Sequence, residues 1–168
     1  MSMMSIRPAT PRDRDAIRRV EENAFGQRVE AGLVDALVAD GDAIVELVAE
    51  EEGQVVGHVL FSRLYVRAGG KDFAAVALAP LAVDPSFHGT GIGGALVREA
   101  HVRLKAAGEQ LSIVLGDPAY YGRFGYSHAR AAGFESVWQD EALLALAWGE
   151  APQEGQLVYA SAFESLAA

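Results

Sequence analysis

The spacing of apolar residues changes several times along the chain, and each change predicts an element. Ser5-Ile6-Arg7 starts a short strand. Pro11 with Asp13 then signals a helix start, with Ile17, Val20, Ala24 and Phe25 on one face and Gly26 as the stop. Val29, Leu33, Leu37 and Val38 predict a second helix that stops at Asp40-Gly41. β-formers fill Ala43 to Ala49, Val55 to Val66 and Phe73 to Val83. Glu51-Glu52-Gly53-Gln54 and Ala68-Gly69-Gly70-Lys71-Asp72 read as the hairpin turns between them. Ile92, Ala95, Leu96, Ala100 and Leu104 return to helical spacing, and Gly108 ends that helix. Leu111 to Leu115 reads as a buried strand. Asp117-Pro118 opens a short helix that Gly125-Tyr126 closes. His128 to Val137 is mixed and holds a strand, Gln139 to Trp148 reads as a helix, and Gln156 to Phe163 as a final strand. Two hairpins in series make an antiparallel meander, followed by a β-α-β unit. The pattern describes one α/β domain over residues 1–168.

Composition narrows the function classes. With 168 residues, 51% of them hydrophobic, the chain can bury a core. Met1-Ser2-Met3-Met4 reads as an unstructured tip. No apolar run reaches the roughly 20 residues of a membrane span, no signal segment opens the chain, and the default location is the cytoplasm. The absence of cysteine excludes disulfides, thiolate metal sites and a cysteine nucleophile. The net charge of −9 argues against nucleic acid as a partner, and no membrane partner is expected. The densest basic segment, Arg12 to Arg19, is interleaved with Asp13 and Asp15 and reads as a solvated helix face. No His and carboxylate pair has metal-ligand spacing, so no metal is expected.

The candidate chemistry lies between Leu78 and Ala100. An apolar strand ends at Val83, Asp84-Pro85-Ser86 turns, and Gly89, Gly91, Gly93 and Gly94 lead into a helix. Strand, glycine loop and helix start together build an anion site from backbone N–H groups. Gly89-x-Gly91-x-x-Gly94 matches the dinucleotide fingerprint of nicotinamide-dependent oxidoreductases, with Asp117 as the ribose acid. Against that reading, Asp84 to His88 separate strand from glycine and a meander precedes the motif. The Gly-Lys-Ser/Thr of a Walker loop is absent. A glycine-rich turn that only aids packing is the bland alternative.

The segment His88-Gly89-Thr90-Gly91-Ile92-Gly93 resembles the pyrophosphate loop Gln/Arg-x-x-Gly-x-Gly/Ala of the GNAT superfamily of acetyl-CoA-dependent N-acetyltransferases. His88 stands where Gln or Arg is usual. The preceding Leu81-Ala82-Val83-Asp84-Pro85 is also typical, as is the downstream Tyr121-Gly-Arg-Phe-Gly125-Tyr126, with Tyr for the usual Phe. The block from Leu115 to Tyr126 looks like the YhbS-like bacterial branch. The resemblance runs from about residue 5 to about residue 126 in element order, and the last forty or so residues carry no motif of the family.

The resemblance implies a GNAT-like mixed, mostly antiparallel sheet of about seven strands flanked by helices, splayed between its fourth and fifth strands. It implies acetyl-CoA as the acyl donor. Pantetheine would pair with main-chain groups at Leu81, Ala82 and Val83, with Pro80 at a bulge or edge. The pyrophosphate would lie on His88, Gly89, Thr90, Gly91, Ile92, Gly93 and Gly94. Tyr121 falls at the position of the family's general acid, and Asp117 and Tyr120 would line the cofactor groove. Tyr121 as a packing residue and Asp117 as a plain helix cap are the alternatives. The acceptor would be a small-molecule or peptide amine, and a homodimer is compatible with the superfamily.

The general base is not legible. Phe73 to Val83 contains no carboxylate. Glu46, His58 and Ser62 on the preceding strands, and Glu22 and Glu30 near the first helices, are the candidates. His101 reads as a solvent-facing helix residue. A GNAT-fold module that binds acyl-CoA without turnover therefore stands beside the enzyme reading.

Overall fold

The computed structural model describes residues 4–167. Among them, the elements are β1 (Met4–Pro8), α1 (Arg14–Phe25), α2 (Val29–Ala39), β2 (Ala43–Glu51), β3 (Gln54–Ala68), β4 (Lys71–Val83), α3 (Ile92–Ala106), β5 (Leu111–Leu115), α4 (Pro118–Tyr121), α5 (His128–Ala131), β6 (Phe134–Glu135), β7 (Leu143–Ala147) and β8 (Gly155–Val158). The hydrogen-bonded strand order is β1-β2-β3-β4-β5-β7, and β8 pairs with both β3 and β6. β4 and β5 run parallel over Val76–Leu78 and Ser112–Val114, as do the short β6 and β8, whereas β1–β2, β3–β8 and β5–β7 are antiparallel. The mixed, mostly antiparallel sheet expected by resemblance is present, with eight strands rather than about seven.

The chain packs as two compact units, one holding residues up to Phe61 with Pro80–Arg103, the other Ser62–Ala79 with residues from Leu104 onward. In the first unit a capping box opens the helical region: Asp13 accepts from the Thr10 N–H at 2.7 Å. Asp13 is also gripped by the Arg7 guanidinium at 2.7 and 3.0 Å, and Arg7 reaches Glu50 on β2 as well. That fork joins β1, β2 and the start of α1. Ile17 and Val20 of α1 and Leu33 and Leu37 of α2 are buried. The β2–β3 turn uses positive φ at Glu52 and Gly53, as a two-residue hairpin requires. Gly57 of β3 faces α3, where a Cβ would come within 2.9 Å of Ile92 and 3.0 Å of Leu96. Only glycine lets the first turns of α3 sit this close to the strand.

In the second unit β5 lies between β4 and β7, and Leu111, Ile113, Leu143, Ala145 and Phe134 belong to one buried cluster. Ser112 faces the other side of β5, where its hydroxyl is 2.8 Å from the buried Tyr126 hydroxyl.

Several sequence expectations need correction. Gln139 to Trp148 is not a helix; it carries β7, in antiparallel register with β5. Its Leu and Ala residues are good helix formers, but propensity differs by at most about 0.7 kcal/mol per ordinary residue. Leu143 and Leu144 are both fully buried, one on each face of the strand, at about 1.5–3 kcal/mol apiece. Packing wins. The final strand covers Gly155–Val158 only, and a 3-10 turn takes Ser161–Leu166. The mixed segment after His128 holds a helical turn as well as its strand. Phe25 and Val29, placed on apolar faces by spacing, are 42% and 48% exposed, because Phe25 is the last residue of α1 and Val29 the first of α2. Met4 belongs to β1 rather than to a tip, and Met1–Met3 lie outside the described residues.

Candidate active site

The glycine loop is built from its strand outward. The Asp84 N–H donates to the Val56 carbonyl at 2.8 Å, which fixes the end of β4 against the start of β3. The Asp84 carboxylate then accepts from the Ser86 N–H at 2.9 Å and starts a 3-10 turn over Pro85–Phe87. Two side chains tie the next turn down: the Thr90 hydroxyl donates to the Phe87 carbonyl, and the His88 Nε2 lies 2.9 Å from the Val83 carbonyl. That short contact requires Nε2 to carry a proton and donate. His88 therefore closes a ring from the strand end back onto itself.

Gly89 and Gly91 adopt φ of +80° and +84°, and no atom stands within 4 Å of a Cβ built on either. Their need for glycine is conformational, and the space above them is open. The Ala95 N–H donates to the Gly91 carbonyl at 3.0 Å. The N–H groups of Ile92, Gly93 and Gly94 precede that bond and are available at the positive end of a 15-residue helix. The loop is exposed, and β4 residues Leu81 to Val83 lead directly into it. Leu81–Val83 and His88–Gly94 lie in the first unit, with Ala82 and Ile92 buried.

The second unit holds Asp117, Tyr120 and Tyr121. The Asp117 carboxylate accepts from the Ala119 N–H at 2.9 Å and caps α4, with Pro118 in the first helical position. Tyr121 is half-buried, edge-on to Tyr120 at 5.0 Å and to Tyr126 at 5.9 Å. Burial, with a smaller push from Tyr120, raises its pKa to about 12. The phenol stays protonated through neutral pH and can act as a donor. Its ring lies directly over Gly116: a Cβ there would stand 2.4 Å from Tyr121 Cε2. Arg123 stacks on the Tyr120 ring at 4.5 Å.

The candidates for a base resolve differently from their sequence reading. His58 is fully buried, with Nδ1 2.7 Å from Glu21 and Nε2 2.8 Å from Glu46. Glu46 also takes an ion pair from Arg14 at 2.5 Å. Both oxygens of Glu46 and both nitrogens of His58 are engaged in this cluster. Glu30 accepts from the Gln27 amide at 3.1 Å. Ser62 is buried, and His101 is 8% exposed with its ring edge-on to Phe61, so it is not the solvent-facing residue expected. Glu21 was missed by the sequence reading. Its signal was present: it falls four residues after Ile17, on the apolar stripe of α1, where a carboxylate demands a partner. Among the described residues no cluster of three or more His, Asp or Glu side chains could hold a metal ion, and no helix is long and apolar enough to cross a membrane.

Comparison with known proteins places this geometry. Residues 5–129 match the family model described as the acetyltransferase (GNAT) domain. The uncharacterised N-acetyltransferase YhbS of Escherichia coli K12 is 40% identical over 144 residues, covering 81% of this chain and 85% of YhbS. The crystal structure of E. coli YhbS in complex with CoA superposes with a TM-score of 0.89 and 32% identity, over 97% of this chain and 93% of that one. A GNAT family acetyltransferase from Brucella melitensis, solved in complex with acetyl-CoA, superposes with a TM-score of 0.82 and 36% identity, over 96% and 99% of the two chains. These matches leave the dinucleotide reading of the glycine loop without support.

Proposed function

The chain belongs to the GNAT acetyltransferase family, and we propose that it transfers an acetyl group from acetyl-CoA to a primary amine of a small molecule or a protein N-terminus. The observation that carries this reading is the glycine loop, with open space above Gly89 and Gly91 and the N-terminus of α3 behind it. The donor's pyrophosphate lies on Gly89 to Gly94, where backbone N–H groups and the helix dipole favour an anion. Pantetheine adds to the main chain of Leu81, Ala82 and Val83 in the manner of an extra strand. The family resemblance adds Asp117 and Tyr120 as further cofactor-binding residues.

The amine nitrogen attacks the thioester carbonyl directly, since the chain has no cysteine to form an acyl-enzyme. A main-chain N–H near Pro80 stabilises the developing oxyanion. As the carbon–sulfur bond breaks, Tyr121 gives its proton to the departing thiolate. A phenol with a pKa raised to about 12 is fully protonated for that step. The ammonium form of the acceptor must lose a proton first, and neither Glu46 nor His58 is free to take it. That observation keeps a second reading alive, a GNAT-fold module that binds acyl-CoA without turnover.

The test is acetylation of an amine panel with detection of the free CoA thiol. Tyr121→Phe should slow turnover by roughly 10²–10⁴-fold while CoA still binds. Unchanged turnover in that variant removes Tyr121 from the acid role. Turnover on no amine by a native protein that binds CoA favours the module.

A further inference from the structure

Two short N···O contacts hold His58, and each needs a proton between its atoms. Nδ1 is 2.7 Å from Glu21 and Nε2 is 2.8 Å from Glu46. A neutral imidazole has only one N–H. The second proton must be on the other ring nitrogen or on one of the two carboxylates. Without it, a nitrogen lone pair would face a carboxylate lone pair in a site where His58 and Glu21 are both fully buried. The cluster is therefore intact with two protons and broken with one.

The charges around it agree. Arg14 and Glu21 come from α1, Glu30 approaches Glu21 from α2, Glu46 comes from β2, and β4 contributes no charged side chain between Phe73 and Val83. Arg14 and an imidazolium balance Glu21 and Glu46. Burial disfavours the imidazolium, but the two carboxylates outweigh it and hold the His58 pKa above its ordinary value. Burial likewise raises Glu21. Both directions describe one proton shared in the Nδ1···Oε2 contact. Burial works against ionised Glu46 too, but hydrogen bonds from His58 and Arg14 hold its pKa down.

The cluster sits one strand away from the proposed cofactor strand. β3 and β4 are joined by a two-residue turn and run antiparallel, and the Asp84 N–H to Val56 carbonyl bond closes their far end. His58 lies two residues along β3 from that bond. Gly57, next to His58, packs on the opposite face against the first turns of α3. A shift of β3 at His58 would reach the start of α3 through Gly57, and the end of β4 through the Asp84–Val56 bond.

We propose that His58 is a positioning residue for the cofactor strand, and that it holds β3 in register for CoA only while the Glu21–His58–Glu46 cluster keeps its second proton. This rests on the cofactor reading given under Proposed function. The sign follows from linkage. The raised His58 and Glu21 pKa values mean that the folded unit binds the proton more tightly than the unfolded chain. The stability they contribute is full on the acid side and is lost as pH rises through the folded pKa of the pair. Glu46, held low, sets a separate limit at acid pH.

Glu21→Gln tests this directly. The amide places a covalent N–H against Nδ1, so a neutral imidazole can accept there and still donate to Glu46. CoA affinity and unfolding temperature are measured from about pH 6 to about pH 10 for native protein and variant. Native protein should lose CoA affinity by about tenfold or more in a single-proton alkaline step. The Glu21→Gln variant should show a flat profile, the ligand's own ionisation being common to both. The ring ¹⁵N resonances of His58 in the native protein should titrate at the same pH as the affinity step. Identical alkaline profiles in the two proteins, or ring resonances that do not move through the step, overturn the proposal. If CoA binds at no pH, the cofactor reading fails, and the two unfolding profiles still decide whether the cluster is proton-dependent.

Discussion

Gly116 and Tyr121 are packed so closely that a single methyl group between them has no room: a Cβ on Gly116 would stand 2.4 Å from Tyr121 Cε2 and 2.9 Å from Cδ2. The glycine at the end of β5 thus sets where the candidate acid's ring lies. Gly116→Ala should displace that ring. Overpacking of this kind costs about 1–3 kcal/mol, and a misplaced catalytic group can lower turnover about 10²-fold. We expect kcat to fall by that order, with CoA affinity within about threefold of native. Steady-state kinetics beside calorimetric CoA binding checks it, and a native kcat would show that the ring's position is unimportant.

A second close approach shapes the anion cradle. Gly57 leaves no space for a side chain against Ile92 and Leu96. Gly57→Val should push the first turn of α3 away from β3 and destabilise the fold by about 1–3 kcal/mol. It should also weaken CoA about tenfold, with Gly57→Ala falling between variant and native. Denaturant unfolding and CoA titration of both variants measure the two effects.

His88 replaces the family's Gln or Arg yet bonds to the Val83 carbonyl of its own chain. We expect His88→Ala to lose a single hydrogen bond's worth of loop order, about threefold to tenfold in CoA affinity. His88→Gln, able to donate to the same carbonyl, should recover most of it. A Gln variant as weak as the Ala variant would show that the tie to Val83 does not organise the loop.

Gly91→Glu probes the cradle itself. The backbone at this position must keep a φ of +84°, and the new side chain brings negative charge to the place proposed for pyrophosphate. CoA binding should be abolished in a variant whose circular dichroism remains native. Retained affinity would move the phosphate site elsewhere.

Acid should weaken the fold through Asp13. The Arg7 guanidinium, helped by the Thr10 N–H and hydroxyl, holds the Asp13 carboxyl far below the usual carboxylate range. Its folded pKa is depressed, so its contribution is present above the unfolded value near 3.9 and is lost as pH falls through the folded one. Asp13→Ala should cost about 1 kcal/mol or more at neutral pH through the lost cap. The variant should also show a shallower loss of stability on acidification. Thermal unfolding of both proteins from neutral to acid pH compares the slopes.

Much of this was legible from residue order. Val83, Asp84-Pro85, the glycine cluster and Ile92 announce strand, turn and helix start by local conformational rules, because glycine at positive φ and proline in a first turn act over a few residues. The hairpins at Glu52-Gly53 and Gly69-Gly70, and the Asp117-Pro118 helix start, were readable for the same reason. The Gln139–Trp148 segment was not, since its strand exists only through the partner it finds in β5.

The sequence by itself determined the order of elements, the glycine loop and the tyrosine block that carries the family resemblance. Tertiary structure decided what three ordinary-looking residues do. Glu21 and Glu46 stand 37 and 12 positions from His58 along the chain. Nothing in local spacing links them; only the packing of α1 on β2 and β3 does. Burial then makes their proton count matter, because the fully buried Glu21–His58 contact has no water to replace a missing proton. The same holds for Gly116 and Gly57: a glycine's freedom is visible in sequence, but what its missing Cβ makes room for is set by the side chain that folding brings against it.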